Sequence, residues 1–205
     1  MADAGKLDLY REHKAEYVAP SKPVLLTVGP AQYLAISGRG APGEEAFTSG
    51  VGALYAVAFT IKMTSKFAGR DYKVCHLEGL WWADDEGRDF ASLPPEEWNW
   101  KLLIRTPDFI GRDELDKATQ VLLAKGKPPQ TAKVELVSLQ EGTCVQMLHV
   151  GPYCQEQRTI EAMSAFAAES GLTFHGRHHE IYLSDARRVA PERLRTILRH
   201  PVREG

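Results

Sequence analysis

The chain has 205 residues, of which 43% are hydrophobic and 25% charged, a composition that excludes a disordered or fibrous protein. A formal net charge of -2 provides no broad positive field, which argues against nucleic acid as a partner. The charged N-terminus lacks the apolar core of a signal peptide, and no stretch of the sequence approaches the roughly 18 apolar residues of a membrane span. We therefore expect a cytoplasmic protein that does not enter a membrane.

The first half of the chain predicts strands around one long helix. Residues 1–22 form a short N-terminal arm, because Pro20 and Pro23 end any helix there. Two strands separated by Gly29-Pro30 follow at 24–37, then a long amphipathic helix at 44–67. Two further strands are predicted at 72–83 and 98–106. A connector helix at 112–126 ends at Gly126.

The second half repeats this order. Two strands are predicted within 132–150, a helix at 155–170, and strands at 174–184 and 194–202. The strand after each long helix also carries a matching pair, His76 with Glu78 and His178 with Glu180. An internal duplication explains both observations.

The predicted fold is therefore α+β, with one domain from residue 23 to 205. Half-repeats at 24–106 and 131–202, each a strand-helix-strand-strand unit, form an antiparallel, barrel-like sheet with two long helices. A ligand groove is expected at the pseudo-twofold axis between the halves.

Glu78, Glu180 and Tyr182 are the candidate catalytic residues. Side chains alternate along a strand, so His178, Glu180 and Tyr182 share one face. If a pseudo-twofold axis relates the halves, Glu78 and Glu180 approach it from opposite sides and place two carboxylates in one groove. Such a groove attracts a planar aromatic or cationic ligand. The alternative is that both glutamates are solvated strand residues that the duplication retained.

Tryptophans supply the predicted ligand platform. Four of them lie within residues 81–100, which is more than an ordinary core needs, although a single tryptophan is more often a core residue. The candidates for ligand contact on these grounds are Trp81, Trp82, Trp98, Trp100 and His178.

Other site chemistries find little support. His175, His178 and His179 are close in sequence, but adjacent strand residues point to opposite faces and cannot share one ion, so no metal site is predicted. Three cysteines without a CxxC pair indicate neither a disulfide framework nor structural zinc, and Cys154 has no signature of a catalytic Cys-His pair. No P-loop or GxGxxG follows a strand, so no cofactor is expected.

Several segments of the chain resemble the GyrI-like family of small-molecule-binding proteins. In chain order they are KLDLYREHKAEYVAPSKPVLLTV, YLAISGRGAPG, ALYAVAFTIK, LEGLWW, WNWKLLIRTPDFI, HVGPYCQEQRTIEAM and HHEIYLSDARRVAPERLRTILRHPV. The resemblance covers nearly the whole chain. It implies a duplicated fold whose central groove binds small molecules, as in effector domains of multidrug-responsive regulators. Those regulators also carry a helix-turn-helix, for which residues 1–22 are too few, so the chain resembles the stand-alone form.

The resemblance leaves several functions open. Some stand-alone members are gyrase-inhibitory or toxin-protective, a groove without catalysis would only sequester or sense its ligand, and some longer members hydrolyse cyclopropane-bearing DNA-alkylating natural products. For hydrolysis, Glu180 or Glu78 would be the base that activates a water. Tyr55, Tyr153 or Tyr182 would donate to the carbonyl oxygen of the ligand. The sequence does not separate catalysis from binding.

Overall fold

The computed structural model describes residues 6–85 and 90–205 of the chain. These residues form an α+β fold with an antiparallel sheet, as predicted. The helices are α1 (Leu9–Glu12), α2 (Lys14–Tyr17), α3 (Glu45–Phe67), α4 (Arg112–Ala124) and α5 (Gln157–Glu169). The strands are β1 (Val24–Val28), β2 (Ala31–Arg39), β3 (Glu78–Trp82), β4 (Asn99–Arg105), β5 (Glu135–Leu139), β6 (Gly142–Val150), β7 (Leu172–Phe174), β8 (His178–Tyr182) and β9 (Arg195–Glu204).

The strand order shows how the two halves combine. It runs β1-β6-β9-β8-β3-β4-β2-β5, with β7 paired to β9 outside this path. Strands in equivalent positions of the two halves lie at equal distances from the central pair of β8 and β3. The outermost strands, β1 and β5, each pair with a strand of the other half. In the part of the chain described here β1 and β5 do not pair, so the sheet stays open. Superposition of 24–106 on 131–202 remains a prediction.

The two long helices lie on one face of the sheet. The α3 helix buries a stripe at helical spacing that contains Ala53, Leu54, Val57 and Ile61, and this stripe packs against β2 and β4. The α5 helix packs Met163 and other residues against β6 and β9. Among the described helices, α3 alone is long and apolar enough to cross a membrane by length and composition. The expectation that no stretch approaches a membrane span is therefore wrong for α3, whose buried stripe nevertheless belongs to the core of this domain.

The N-terminal arm lies against the opposite face of the sheet. Tyr17 packs there with Ile181 and Ile197. The predicted strand at 72–83 is shorter than expected, because its first residue instead forms an isolated bridge between Tyr72 and Leu7 of the arm. The predicted strand at 174–184 is divided into β7 and β8 by Gly176, whose φ of 71° is left-handed.

Candidate small-molecule site

The candidate site, called the groove below, is the helix-bearing face of the central strands β3 and β8, between the strands that α3 covers (β2 and β4) and those that α5 covers (β6 and β9). Trp81 pairs with His178 and Gly79 pairs with Glu180 across β3 and β8, and directly paired residues point to the same face of a sheet. Trp81 belongs to the apolar cluster that contains α3, so this is the face on which the helices lie. His178, Glu180 and Tyr182 therefore line the groove, as their alternation predicted.

A second carboxylic acid, Glu156, meets Glu180 at the floor of the groove. Glu156 directly precedes α5, and one side-chain atom each of Glu156, His178 and Glu180 lies within 4.8 Å of the others. Burial, followed by the charge of Glu180, raises the pKa of Glu156 from 4.5 to about 10. Glu156 therefore keeps its proton at neutral pH.

Tyrosines surround this carboxyl pair. Trp81 Nε1 donates to the Tyr182 hydroxyl oxygen at 3.2 Å, and burial followed by the charge of Glu180 raises the pKa of Tyr182 well above its usual value. Tyr153 packs edge-on against Tyr182 at 6.0 Å and is 41% exposed. Burial, then the charge of Glu180, raises the pKa of Tyr153 to about 12, so its phenol is a proton donor at neutral pH.

Aromatic rings fill the part of the groove above Trp81. Phe47 and Phe90 are stacked with the Trp81 ring at centroid distances of 5.8 and 6.2 Å, and Trp98 meets it edge-on at 5.9 Å. Phe90 also lies 5.6 Å from the His178 ring. Tyr55 of α3 is half-buried, and burial raises its pKa. A ligand ring in this groove meets aromatic surface on several sides.

Glu78 does not share the groove with Glu180. It pairs with Ile181 and lies on the opposite face, fully buried, where it accepts from Tyr17 at 3.1 Å and contacts His179 Nε2 at 3.0 Å. The prediction of one groove with both glutamates is wrong, because the register of β3 against β8 places the two residues an odd number of positions apart.

The face that holds Glu78 carries a buried network of charges. His179 Nδ1 contacts Glu141 at 2.9 Å, and Arg199 donates to the other oxygen of Glu141 at 2.8 Å. Burial alone would raise the pKa of Glu141, but His179 and Arg199 outweigh it and lower this pKa to about 2. Burial likewise lowers the pKa of His179, but Glu141 and Glu78 outweigh it and raise this pKa to about 9. This network holds strands and arm together, away from the groove.

Two of the four predicted tryptophan platforms lie elsewhere. Trp82 is on the face opposite to the groove, with the Arg177 guanidinium 3.6 Å from its ring centroid. Trp100 is buried beneath α3, where a Cβ added at Gly38 would lie 2.3 Å from its ring. The expectation that Trp82 and Trp100 line the same groove is therefore wrong, whereas Trp81 and Trp98 lie at the groove, and ligand contact stays a prediction.

The family model of the GyrI-like small-molecule-binding domain matches residues 21–203. The chain belongs to the GyrI-like family.

Solved structures support the same relationship. An uncharacterized conserved protein from Listeria innocua is 38% identical, with a TM-score of 0.89 over 97% of this chain and 100% of that chain. A structure described as a hydrolase from Listeria innocua is 37% identical, with a TM-score of 0.87 over the same shares, 97% and 100%. The EcmrR C-terminal domain, at 9% identity and a TM-score of 0.59 over 90% of this chain and 98% of that domain, shares the fold. No curated protein sequence matched the chain.

The sequence reasoning missed Glu156 in this GyrI-like domain, although a signal for it exists. Gly40 and Gly151 both have positive φ values, 114° and 140°, at the turn that leads from a strand into a long helix. Each is followed five residues later by a glutamate at the helix start, Glu45 and Glu156. Only the second of these is buried, because its helix start faces β8.

Proposed function

We propose that this GyrI-like protein binds planar aromatic or cationic small molecules in the groove and hydrolyses those that carry a strained, activated cyclopropane. The observation that carries this proposal is the buried Glu180 carboxylate, flanked by Tyr182 and Tyr153 beneath the Trp81 ring. Membership of the GyrI-like small-molecule-binding family supports the binding part of the proposal. The relative described as a hydrolase, with 37% identity over nearly the whole chain, supports the catalytic part.

Binding follows from the composition of the groove. Trp81 and Trp98 present ring faces and edges to a planar ligand, and Glu180 attracts positive charge or an electron-poor carbon. Phe90 stacks on Trp81 in the free protein. A bound ligand ring would replace Phe90 in this stacking contact. A planar aromatic cation therefore matches both the shape and the charge of this site.

The hydrolysis step balances with the groups at the floor of the groove. A water oxygen forms a bond to the cyclopropane methylene, and the ring bond to the spiro carbon breaks. The electron pair of that bond passes through the conjugated dienone to its oxygen, which becomes a phenol. Glu180 takes the proton of the water, and Tyr153 donates a proton to the developing oxyanion. Tyr182 holds Glu180 in place, because Trp81 fixes its hydroxyl.

The test is turnover of a spirocyclopropane dienone alkylator, followed by mass spectrometry for a product heavier by one water. We expect Glu180→Gln to slow turnover by about 10²- to 10⁴-fold, the usual loss when a general base is removed. Glu161→Gln, an exposed glutamate on α5, is the matched control and should retain the wild-type rate. Melting temperatures verify that both variants fold.

Binding without turnover is the second candidate, since the aromatic groove alone suffices to sequester a ligand. Ethidium, a planar aromatic cation, should quench tryptophan fluorescence with a dissociation constant in the micromolar range. Ethidium binding without any hydrated product would assign the protein to sequestration. Absence of both would overturn the groove as a ligand site.

A further inference from the structure

We infer that Glu156, His178 and Glu180 form a binding site for a divalent transition-metal ion of the Zn²⁺ class. The three residues come from two elements, the turn before α5 and strand β8, and one potential ligand atom of each lies within 4.8 Å of the others. His178 and Glu180 alternate on β8, so both side chains point to the same face.

The potential ligands are buried and incompletely paired. Glu156, His178 and Glu180 are 7%, 4% and 8% exposed, respectively. His178 Nε2 and Glu156 Oε1 are both buried without a hydrogen-bond partner in the described part of the chain. A buried polar atom without a partner is destabilising, so such atoms are rare in folded proteins. An ion between the three side chains would pair both atoms at once.

The geometry requires only a small contraction. Zn²⁺ lies about 2.0–2.2 Å from imidazole nitrogen and carboxylate oxygen, which places neighbouring ligand atoms about 3–4 Å apart. His178 Nε2 already lies 3.5 Å from Glu180 Oε1. The ligand atom of Glu156 lies within 4.8 Å of the other two. Three protein ligands also leave one tetrahedral position open.

The ligand types favour one class of ion. Imidazole nitrogen suits Zn²⁺ and neighbouring transition metals, whereas Mg²⁺ and Ca²⁺ take oxygen ligands. The site is also separate from the histidine group considered at first, because His179 points to the opposite face and binds Glu78 and Glu141. His178, and not His179, is therefore the histidine ligand of the proposed site.

Metal binding and hydrolysis compete for the same atoms. A Glu180 oxygen that coordinates an ion no longer accepts the proton of the attacking water, so the ion inhibits turnover. This consequence rests on the proposed function, whereas the binding of the ion does not. A protein that binds Zn²⁺ but never hydrolyses a ligand would contradict the first proposal and leave the metal site standing.

The experiment is calorimetric titration of ZnCl₂ into chelator-treated protein, with MgCl₂ as the comparison ion. We expect one Zn²⁺ per chain and weaker binding by more than about 10-fold in His178→Ala and in Glu156→Gln, because loss of even an outer partner costs about 10- to 100-fold. Glu156→Gln keeps the shape of the side chain and serves if His178→Ala fails to fold. Zn²⁺ should also slow hydrolysis of the spirocyclopropane substrate, and a chelator should restore it.

Two control variants test the choice of ligands. His175→Ala removes an imidazole three residues from His178, and Cys154→Ser removes the exposed thiol beside Glu156. Both should bind Zn²⁺ as the wild type does. Loss of binding in either control, equal binding of Mg²⁺, or unchanged affinity in both His178→Ala and Glu156→Gln would overturn the site.

Discussion

At the scale of single residues, position relative to the central strands decides what a glutamate does. Among the described residues no arginine is recorded in contact with Glu180 or Glu156, whereas His179 joins Glu78 to Glu141, and Arg199 donates to Glu141. Burial and the charge of Glu180 raise the pKa of Glu156, whereas His179 and Arg199 lower the pKa of Glu141. The same residue type therefore lines the candidate site on one face of the sheet and takes part in a buried network of charges on the other.

Replacing Glu156 by Gln should stabilise the metal-free protein in alkaline buffer. Its pKa is raised to about 10 in the folded state, while the unfolded carboxyl ionises near its usual value. The unfolded state therefore binds fewer protons between those two pH values, and the free energy of unfolding falls as pH rises through them. We expect Glu156→Gln to have a higher melting temperature than wild type at pH 8. For a chain of this size, each kcal/mol added to the free energy of unfolding raises the melting temperature by about 2–4 °C. The gain should vanish near pH 4.5, and Glu161→Gln should show none.

Glu78→Gln and Glu180→Gln should have opposite consequences. Removing one partner of a buried charge pair costs about 3–5 kcal/mol, so Glu78→Gln should sharply lower the free energy of unfolding measured in urea. Its dissociation constant for ethidium should stay within about twofold of wild type, because Glu78 is sealed from the groove. Glu180→Gln should weaken ethidium binding and slow turnover with a smaller loss of stability. Weaker ethidium binding in Glu78→Gln, with unchanged binding in Glu180→Gln, would place the ligand site on the other face of the sheet.

At the scale of elements, two glycines allow α3 to approach the sheet. The Trp100 ring lies where a side chain at Gly38 or Gly50 would stand, with contacts to an added Cβ of 2.3 and 3.2 Å. Gly38 on β2 and Gly50 on α3 therefore admit a fully buried tryptophan between helix and strand. This packing explains why Trp100 belongs to the core and not to the groove.

Gly38→Ala should destabilise the protein, because the new methyl group overlaps an aromatic ring that cannot move aside in a close-packed core. Overpacking of this kind costs about 1–3 kcal/mol and should alter tryptophan fluorescence. Gly52→Ala on α3 is the control, since nothing lies within 4 Å of a Cβ added there. Alanine is favoured over glycine inside a helix by about 1 kcal/mol, so this control should be neutral or stabilising. Equal melting temperatures for both variants would contradict the packing argument.

At the scale of the whole molecule, the buried network connects both halves of the sheet to the N-terminal arm. Arg199 of β9 donates to Glu141 and to the backbone oxygen of Glu16, and Arg105 of β4 contacts the Glu16 carboxylate at 2.5 Å. These contacts span the arm and strands from each half-repeat. The arm is therefore a structural part of the domain.

The network predicts a stability maximum in mildly acidic buffer. The pKa of Glu141 is lowered to about 2, so its contribution is present above the unfolded value of 4.5 and is lost as pH falls toward 2. The pKa of His179 is raised to about 9, so its contribution is present below 6.5 and is lost as pH rises toward 9. We expect the melting temperature to peak between about pH 4.5 and 6.5. A peak above pH 8 would show that the network is not charged as described.

The sequence by itself determined the elements, the family resemblance and part of the site. Helical spacing in α3, the glycine after α4 and the repeated order of strands are local signals, so α3 and α4 were predicted within a few residues and the strands in the right order, although β3 is shorter than predicted and one predicted strand is divided into β7 and β8. The shared face of His178, Glu180 and Tyr182 follows from strand alternation alone and was also predicted.

Only the tertiary structure decided which residues meet. The register of β3 against β8 separates Glu78 from Glu180, and the start of α5 brings Glu156 to Glu180 instead. Alternation within one strand predicts which of its residues share a face. A shift of one residue in the register between two strands moves the side chains of one strand to the opposite face, and neither sequence records that shift. The carboxyl pair of this groove therefore depends on pairing between distant segments, which local patterns do not encode.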